Sequence, residues 1–313
     1  MICMQPKQLF KVRTKLMGNQ FELSVVASNE EWAMQQIDAG VNEIKRIEKL
    51  LTTFNEDSET NLINRNAGLA PVKVSEETFQ LIDRSLKISS LTQGAFDITY
   101  GSIDKSLWNF DTTMNALPDK ATARQMVKLI NYRNIILDKH EGTVFLKENG
   151  TRIGFGGIGK GYAAEMAKMV MVQQGVESGI VNASGDLTAW GLQPDGEEWT
   201  IGIADPNNSG QVFSFIKITG LPVATSGNYE KYILVDGKKY SHTINPRTGL
   251  PVTGIKSVTI ITKNAEIADA MATPVTIMGI RAGLSMVNQI KDMEVIIVDD
   301  HDKVYTPANI HIH

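Results

Sequence analysis

Apolar and polar residues follow two rhythms along this chain, and each predicts its own kind of element. A strand-like run, Phe21–Val26, leads into Ser28-Asn29-Glu30-Glu31, a capping-box pattern at the start of a helix. Beyond it Ile37, Val41, Ile44 and Leu51 fall at helical spacing and predict a helix that ends near Thr52. A second helix is expected from Ser75, burying Phe79, Ile82 and Leu86 and stopping before Gly94. A third, shorter one follows Pro118-Asp119, with Met126, Val127 and Ile130 along one side. Thr143–Phe155 reads as extended pieces broken at Asn149-Gly150, and Tyr162, Met166, Met169 and Val170 mark a further helix closed by Gly175.

The second half is richer in strands: Ile180–Ala183, Trp199–Ile203, Val212–Ile218, Tyr232–Val235, Ser257–Thr262 and Val295–Val298. Asp236-Gly237, between Tyr232–Val235 and Lys239–His242, is a two-residue hairpin signal. Strands and helices mix without a regular βαβ repeat, which favours an α+β architecture. Neither internal repeats nor a linker are evident, so residues 1–313 read as one domain, with a weak boundary between two lobes near 120–150.

Composition narrows the function classes. The 313 residues are 42% apolar and 21% charged, an ordinary globular mixture, with a formal net charge of −4 and no basic stripe. Nucleic acid is therefore not an expected partner. Cys3 stands alone, so neither an intrachain disulfide nor a thiolate metal cluster can form. No stretch reads as a signal-peptide core or a membrane span, and the chain as given is expected to be soluble.

Four segments carry candidate chemistry. Gly154-Phe155-Gly156-Gly157-Ile158-Gly159-Lys160-Gly161 precedes a helix. Glycines let backbone amides approach a phosphate, and the helix aims its positive end at the anion. Lys160 adds a point charge. The run also satisfies the dinucleotide fingerprint, but Glu177 precedes the next strand and Asp186 lies too far along to confirm it. A tight turn without a ligand is the plainer alternative. In Asn264–Thr273, Asn264 can cap a helix that puts Asp269 and Thr273 four apart on one face, oxygen donors suited to a hard ion such as Mg²⁺. Pro274 frees the carbonyl of Ala270. Taken alone, Asp269 also reads as a residue on a solvated helix face, where replacement by Ala leaves the fold intact. Ala224-Thr225-Ser226-Gly227-Asn228-Tyr229-Glu230 and Ser241–Gly249 suggest a site rim, with His242 either a proton acceptor or a hydrogen-bonded structural histidine. His140, His301, His311 and His313 make no metal-ligand spacing with it. Gly94–Gly101 sets Phe96 beside Asp97, a pair suited to a flat ring with hydrogen-bonding edges, although Phe96 alone would pass as core.

In this order the segments resemble the ApbE family, the FAD:protein FMN transferases. The resemblance runs from about Met17 to about Gly279 through Met17-Gly18, Thr53-Phe54 with Ser58-Glu59 and Asn64, Gly94–Gly101, Gly156–Tyr162, Asn182–Asp186, Ala224–Tyr229, Ser241–Gly249 and Ala268–Thr273. It implies an α+β fold with a T-fold-like core, FAD as substrate and a Mg²⁺ ion at the pyrophosphate. Met17 and Phe54 would lie near the flavin, and Ala95, Phe96 and Asp97 would hold FAD. Lys160, Glu165 and Ile244 match further FAD-binding positions. Asp269, Thr273 and the Gly157 carbonyl would hold the metal, and His242 matches the base that activates the acceptor hydroxyl.

The implied reaction transfers FMN from FAD to a threonine or serine of an acceptor flavoprotein and releases AMP. FAD hydrolysis to FMN and AMP, or FAD binding without catalysis, are the alternatives. Family members are commonly exported and lipid-anchored, which implies a cell-envelope location with Cys3 as candidate anchor site. The chain departs from the family pattern at Gly154, Glu165 and Asn245, each where Asp is common, at Gly159 where a small Ala is usual, and at Pro274 after the metal motif. Gly154 and Asn245 each remove a carboxylate.

Overall fold

A computed structural model describes residues 6–104, 106, 116–204, 212–218, 220–227, 232–235 and 237–307. Cys3, Asn228-Tyr229-Glu230 and Asp236 lie outside the described residues. Numbered in chain order, the helices are α1 (Glu30–Leu51), α2 (Glu59–Arg65), α3 (Glu76–Leu91), α4 (Lys120–Met126), α5 (Gly159–Gln173), α6 (Ala265–Met278) and α7 (Ile280–Val287). The strands are β1 (Gln8–Leu16), β2 (Asn19–Ala27), β3 (Val72–Lys73), β4 (Ile135–Asp138), β5 (Thr143–Leu146), β6 (Gly179–Ala183), β7 (Asp186–Trp190), β8 (Trp199–Ala204), β9 (Val212–Ile218), β10 (Val223–Gly227), β11 (Tyr232–Val235), β12 (Lys238–Ser241), β13 (Ile255–Thr262), β14 (Met293–Asp299) and β15 (Val304–Tyr305).

Eight strands form one antiparallel sheet in the order β1-β2-β6-β7-β10-β13-β14-β15. Its central strands are apolar on both faces, and alternation divides them between two cores. Leu23 and Val25 of β2, Val258 and Ile260 of β13, and Val295 and Ile297 of β14 face the main core with α1, α5 and α6. Val26, Ile261 and Ile296 face the other way, onto a smaller core with Trp199 of β8. Each fully buried Leu, Ile or Val stabilises the fold by about 1.5–3 kcal/mol relative to exposure. The α+β arrangement expected from the sequence is the one observed. The paired strands of the large sheet are antiparallel and residues 151–155 before the glycine run are not a strand, so a Rossmann reading has no βαβ frame.

Local signals fix most helix starts. Asn29, rather than Ser28, caps α1 by accepting the Trp32 amide at 2.7 Å, and Ser75 caps α3. Of the extended segment expected over Thr143–Phe155, only Thr143–Leu146 is a strand, paired with β3 and β4. No helix among the described residues is long and apolar enough to cross a membrane.

Candidate active site

A cavity of about 830 Å³ opens where five parts of the chain meet: Thr53, Ala95–Ile103, Arg152–Gly157, His242–Ile244, and Thr273 with Ile277 on α6. Its floor is fixed by backbone contacts. Asp97 accepts the Thr99 amide at 2.8 Å and hydroxyl at 2.6 Å on one oxygen and the Tyr132 amide at 2.7 Å on the other. Burial pushes the Asp97 carboxyl above its ordinary value, while the Thr99 bonds pull it back. Asp97 thus lines the cavity wall as a carboxylate whose two oxygens already serve the protein.

The glycine run is pinned beside this floor. Asn64 of α2 donates to the Ile153 carbonyl at 3.0 Å and accepts the Ile153 amide at 2.7 Å, and the Gly154 amide reaches the Ile98 carbonyl at 2.9 Å. Gly154, Gly156 and Gly157 line the cavity, and Met17 packs against the run from the β1–β2 turn, its methyl 3.5 Å from where a Cβ on Gly159 would stand.

Helix α5 starts at Gly159 with no side-chain cap of its own. The cap comes from α6, where Asp269 Oδ2 accepts the Gly161 amide at 2.9 Å. In return, Glu165 of α5 accepts the Ala265 amide at the start of α6 at 2.9 Å. Each helix therefore places a carboxylate at the positive end of the other. The helices cross so closely that a Cβ on Gly161 would stand 2.2 Å from the Ala265 carbonyl oxygen. Asp269 is 7% exposed, which overturns the expectation of a solvated helix face and with it the expectation that Ala is structurally silent there. Burial raises its pKa above the ordinary value, opposed by Lys160 and the amides of Gly161 and Lys160.

Three oxygens are candidates for a cation: the Asp269 carboxylate, the Thr273 hydroxyl four residues on, and the Gly157 carbonyl, with Gly157 and Thr273 lining the cavity. Pro274 removes the amide that would have bonded the Ala270 carbonyl. Such a hard, all-oxygen and incomplete donor set fits an ion that fills its shell with phosphate oxygens and water. Among the described residues no group of three or more His, Cys, Asp or Glu is placed to hold a metal. Lys160 forms an ion pair with Asp186 of β7 and lies 4.0 Å from Asp269 Oδ1.

His242 also lines the cavity, exposed, between β12 and the turn at Asn245. Ile244, also in the wall, donates its amide to the Tyr100 hydroxyl at 3.3 Å. Asn245 closes the turn by accepting the Arg247 amide at 2.9 Å and the Thr248 amide at 3.3 Å. Aspartate makes the same turn contacts, so this departure preserves local geometry. Arg247 bonds the Gln93 carbonyl and ties the turn to the end of α3.

The structure thus brings Ala95, Phe96, Asp97, Gly157, His242, Ile244 and Thr273 to one cavity, with Asp269 and Lys160 at the adjoining start of α5. Phe54 is 99% exposed; its neighbour Thr53 lines the cavity and Phe54 does not. Glu165 serves the α5–α6 junction instead of the cavity lining. Asn64, Tyr100 and Asp186 stand within the pieces that carry the resemblance but have no role assigned from the sequence, because each acts on a partner far along the chain. Sequence reasoning missed the brace behind the site: Arg84 of α3 bonds Glu266 of α6 at 2.7 and 2.9 Å, and Tyr162 of α5 donates to Glu77 of α3 at 2.6 Å.

Comparison with known proteins matches this chain to named relatives. The FAD:protein FMN transferase of Klebsiella pneumoniae (strain 342) is 32% identical over 297 residues, covering 94% of this chain and 90% of its own. The FAD:protein FMN transferase of Vibrio cholerae is 27% identical over 98% of this chain and 93% of its own. The crystal structure of the ApbE protein of Thermotoga maritima superposes with a TM-score of 0.85 at 31% identity, covering 96% of this chain and 97% of that one. The flavin transferase ApbE of Vibrio cholerae, at 22% identity and a TM-score of 0.84, shares the fold. With the ApbE family model matching residues 17–297, this chain belongs to the ApbE family.

Proposed function

We propose that this chain is an enzyme that transfers the FMN half of FAD to a threonine or serine hydroxyl of an acceptor flavoprotein, with Mg²⁺, and releases AMP. The relatives named FAD:protein FMN transferase, matched over nearly the whole chain, support flavin transfer as its activity. The observation that carries the finer reading is the meeting, at one cavity, of a glycine run, Thr273 and an exposed histidine, with Asp269 next to it at the start of α5.

Phosphoryl transfer needs little covalent help from a protein; positioning and neutralisation of charge supply most of the rate. Ala95, Phe96 and Ile244 would hold the flavin end of FAD against the cavity wall, with Met17 behind the glycine run. The amides of Gly156 and Gly157, with the first turn of α5, would face the pyrophosphate, and Lys160 would add a positive charge. Asp269, Thr273 and the Gly157 carbonyl would hold Mg²⁺, which when bound neutralises phosphate charge and stabilises the leaving AMP. An imidazole nitrogen of His242 takes the proton of the acceptor hydroxyl as that oxygen bonds to the FMN phosphorus and the bond to the AMP oxygen breaks.

The test incubates the protein with FAD and Mg²⁺, with and without a flavoprotein bearing a target threonine, and reads AMP and acceptor mass. AMP with an FMN adduct on the acceptor is the expected result. AMP without the adduct would replace transfer by hydrolysis, and FAD binding without AMP would make the chain a binder.

A further inference from the structure

We propose that Asp186 is a positioning residue of this site, whose carboxylate draws the Lys160 ammonium away from Asp269 and keeps Asp269 Oδ1 open to the metal. The inference rests on the reading of Asp269 as a Mg²⁺ ligand. One ammonium lies between two buried carboxylates: side-chain exposure is 25% for Lys160, 5% for Asp186 and 9% for Asp269. Oδ2 of Asp269 is committed to the Gly161 amide, the Lys160 amide also bonds the carboxylate, and Oδ1 is the oxygen that the Lys160 ammonium faces. At 4.0 Å the ammonium attracts Oδ1 but is too far to hydrogen-bond it, because the ion pair with Asp186 holds it back.

Asp186 is itself firmly placed. It opens β7 after a two-residue turn, Ser184-Gly185, in which both φ angles are positive (57° and 101°), as a tight hairpin requires. The Gly185 amide donates to Asn182 Oδ1 at 3.0 Å, and Asp186 pairs with Ala183 across the hairpin. Without the Asp186 carboxylate, Lys160 closes on Asp269 Oδ1, and a fixed ammonium then competes with Mg²⁺ for the same atom.

The experiment titrates Mg²⁺ into the full chain and reads two midpoints: the rise in melting temperature, and AMP release from FAD. Asp186→Asn keeps the shape of the side chain and is expected to raise both midpoints by about 10–100-fold, the usual cost of losing a group that orients a metal ligand. Turnover at saturating Mg²⁺ is expected to fall far less. Lys160→Met removes the competitor, and its melting midpoint is expected at or below that of wild type. Adding Asp186→Asn to Lys160→Met is expected to move that midpoint less than twofold. Equal shifts by Asp186→Asn in both backgrounds would overturn the proposal, since Asp186 would then act on the metal without Lys160. An unchanged midpoint in Asp186→Asn, against a wild type that responds to Mg²⁺, would overturn it alone. A wild type whose melting and AMP release ignore Mg²⁺ would overturn the metal reading as well. If Asp186→Asn does not fold, Lys160→Met decides: a tenfold rise in its melting midpoint would overturn the proposal.

Discussion

Asp269 holds the start of α5 and is the proposed metal ligand, and two substitutions at this one position separate the roles. Asp269→Ala removes the acceptor of the Gly161 amide and leaves a buried N–H without a partner. Losing a helix cap costs about 0.5–2 kcal/mol, and an unsatisfied buried amide about 1–3 kcal/mol. The two describe the same lost contact, so the expected loss is about 1–3 kcal/mol and not their sum. Asp269→Asn keeps a carbonyl oxygen for Gly161 and gives up only the charge, whose burial already disfavours it. Its stability is expected within about 1 kcal/mol of wild type. Urea unfolding followed by circular dichroism, without Mg²⁺, measures both. AMP release, by contrast, is expected to be nearly abolished in both variants at low Mg²⁺, with partial recovery at high Mg²⁺ through Thr273 and Gly157. Equal stability of Asp269→Ala and wild type would refute the cap. Full activity of Asp269→Asn across the Mg²⁺ series would refute the metal role.

Gly161→Ala places a methyl 2.2 Å from the Ala265 carbonyl oxygen, so α5 and α6 must separate, and a destabilisation of at least about 1–3 kcal/mol is expected in the same unfolding measurement. His242→Ala is expected to slow transfer to the acceptor by about 10²–10⁴-fold while FAD affinity by titration changes little; an undiminished rate would assign the base elsewhere. FAD is expected to bind more tightly than riboflavin in that titration, because the proposed site sets the glycine run against the pyrophosphate; equal affinities would contradict it. Bonds from Arg46 hold the Glu77 carboxyl below its ordinary pKa of 4.5, so its stabilisation is present above about pH 4.5 and is lost as pH falls through the lower folded value. Glu77→Gln is expected to remove that part of the acid sensitivity, seen as a shallower loss of melting temperature below pH 4.5 than in wild type.

Helices whose caps lie next to them in sequence were legible. Ser75 and Asn264 each accept an amide three residues on, a contact that local spacing specifies. Helix α2 has seven residues, too few for a helical period to declare itself. In sequence, Ala224-Thr225-Ser226-Gly227 suggests only a site rim; strand β10 forms there through partners such as Thr259, whose hydroxyl lies 2.9 Å from that of Thr225. The same divide runs through the site. The Asp269/Thr273 spacing and the glycine run were visible as pattern, whereas the burial of Asp269 was not. The contact that buries it joins residues 108 apart, and periodicity within one helix cannot report what the neighbouring helix supplies.

The exchange of carboxylates between α5 and α6 also bears on how the molecule comes into being. A nascent chain emerging in order presents the glycine run and α5 long before α6 exists, so the first turn of α5 spends that interval without its acceptor. Closing a loop of 108 residues carries an entropic cost that only the later packing of α6 repays. The glycine-run end of the cavity is therefore expected to be among the last parts of the protein to become rigid during synthesis. A fragment ending before Ala265 would retain every glycine of the run and still lack an ordered place for a dinucleotide.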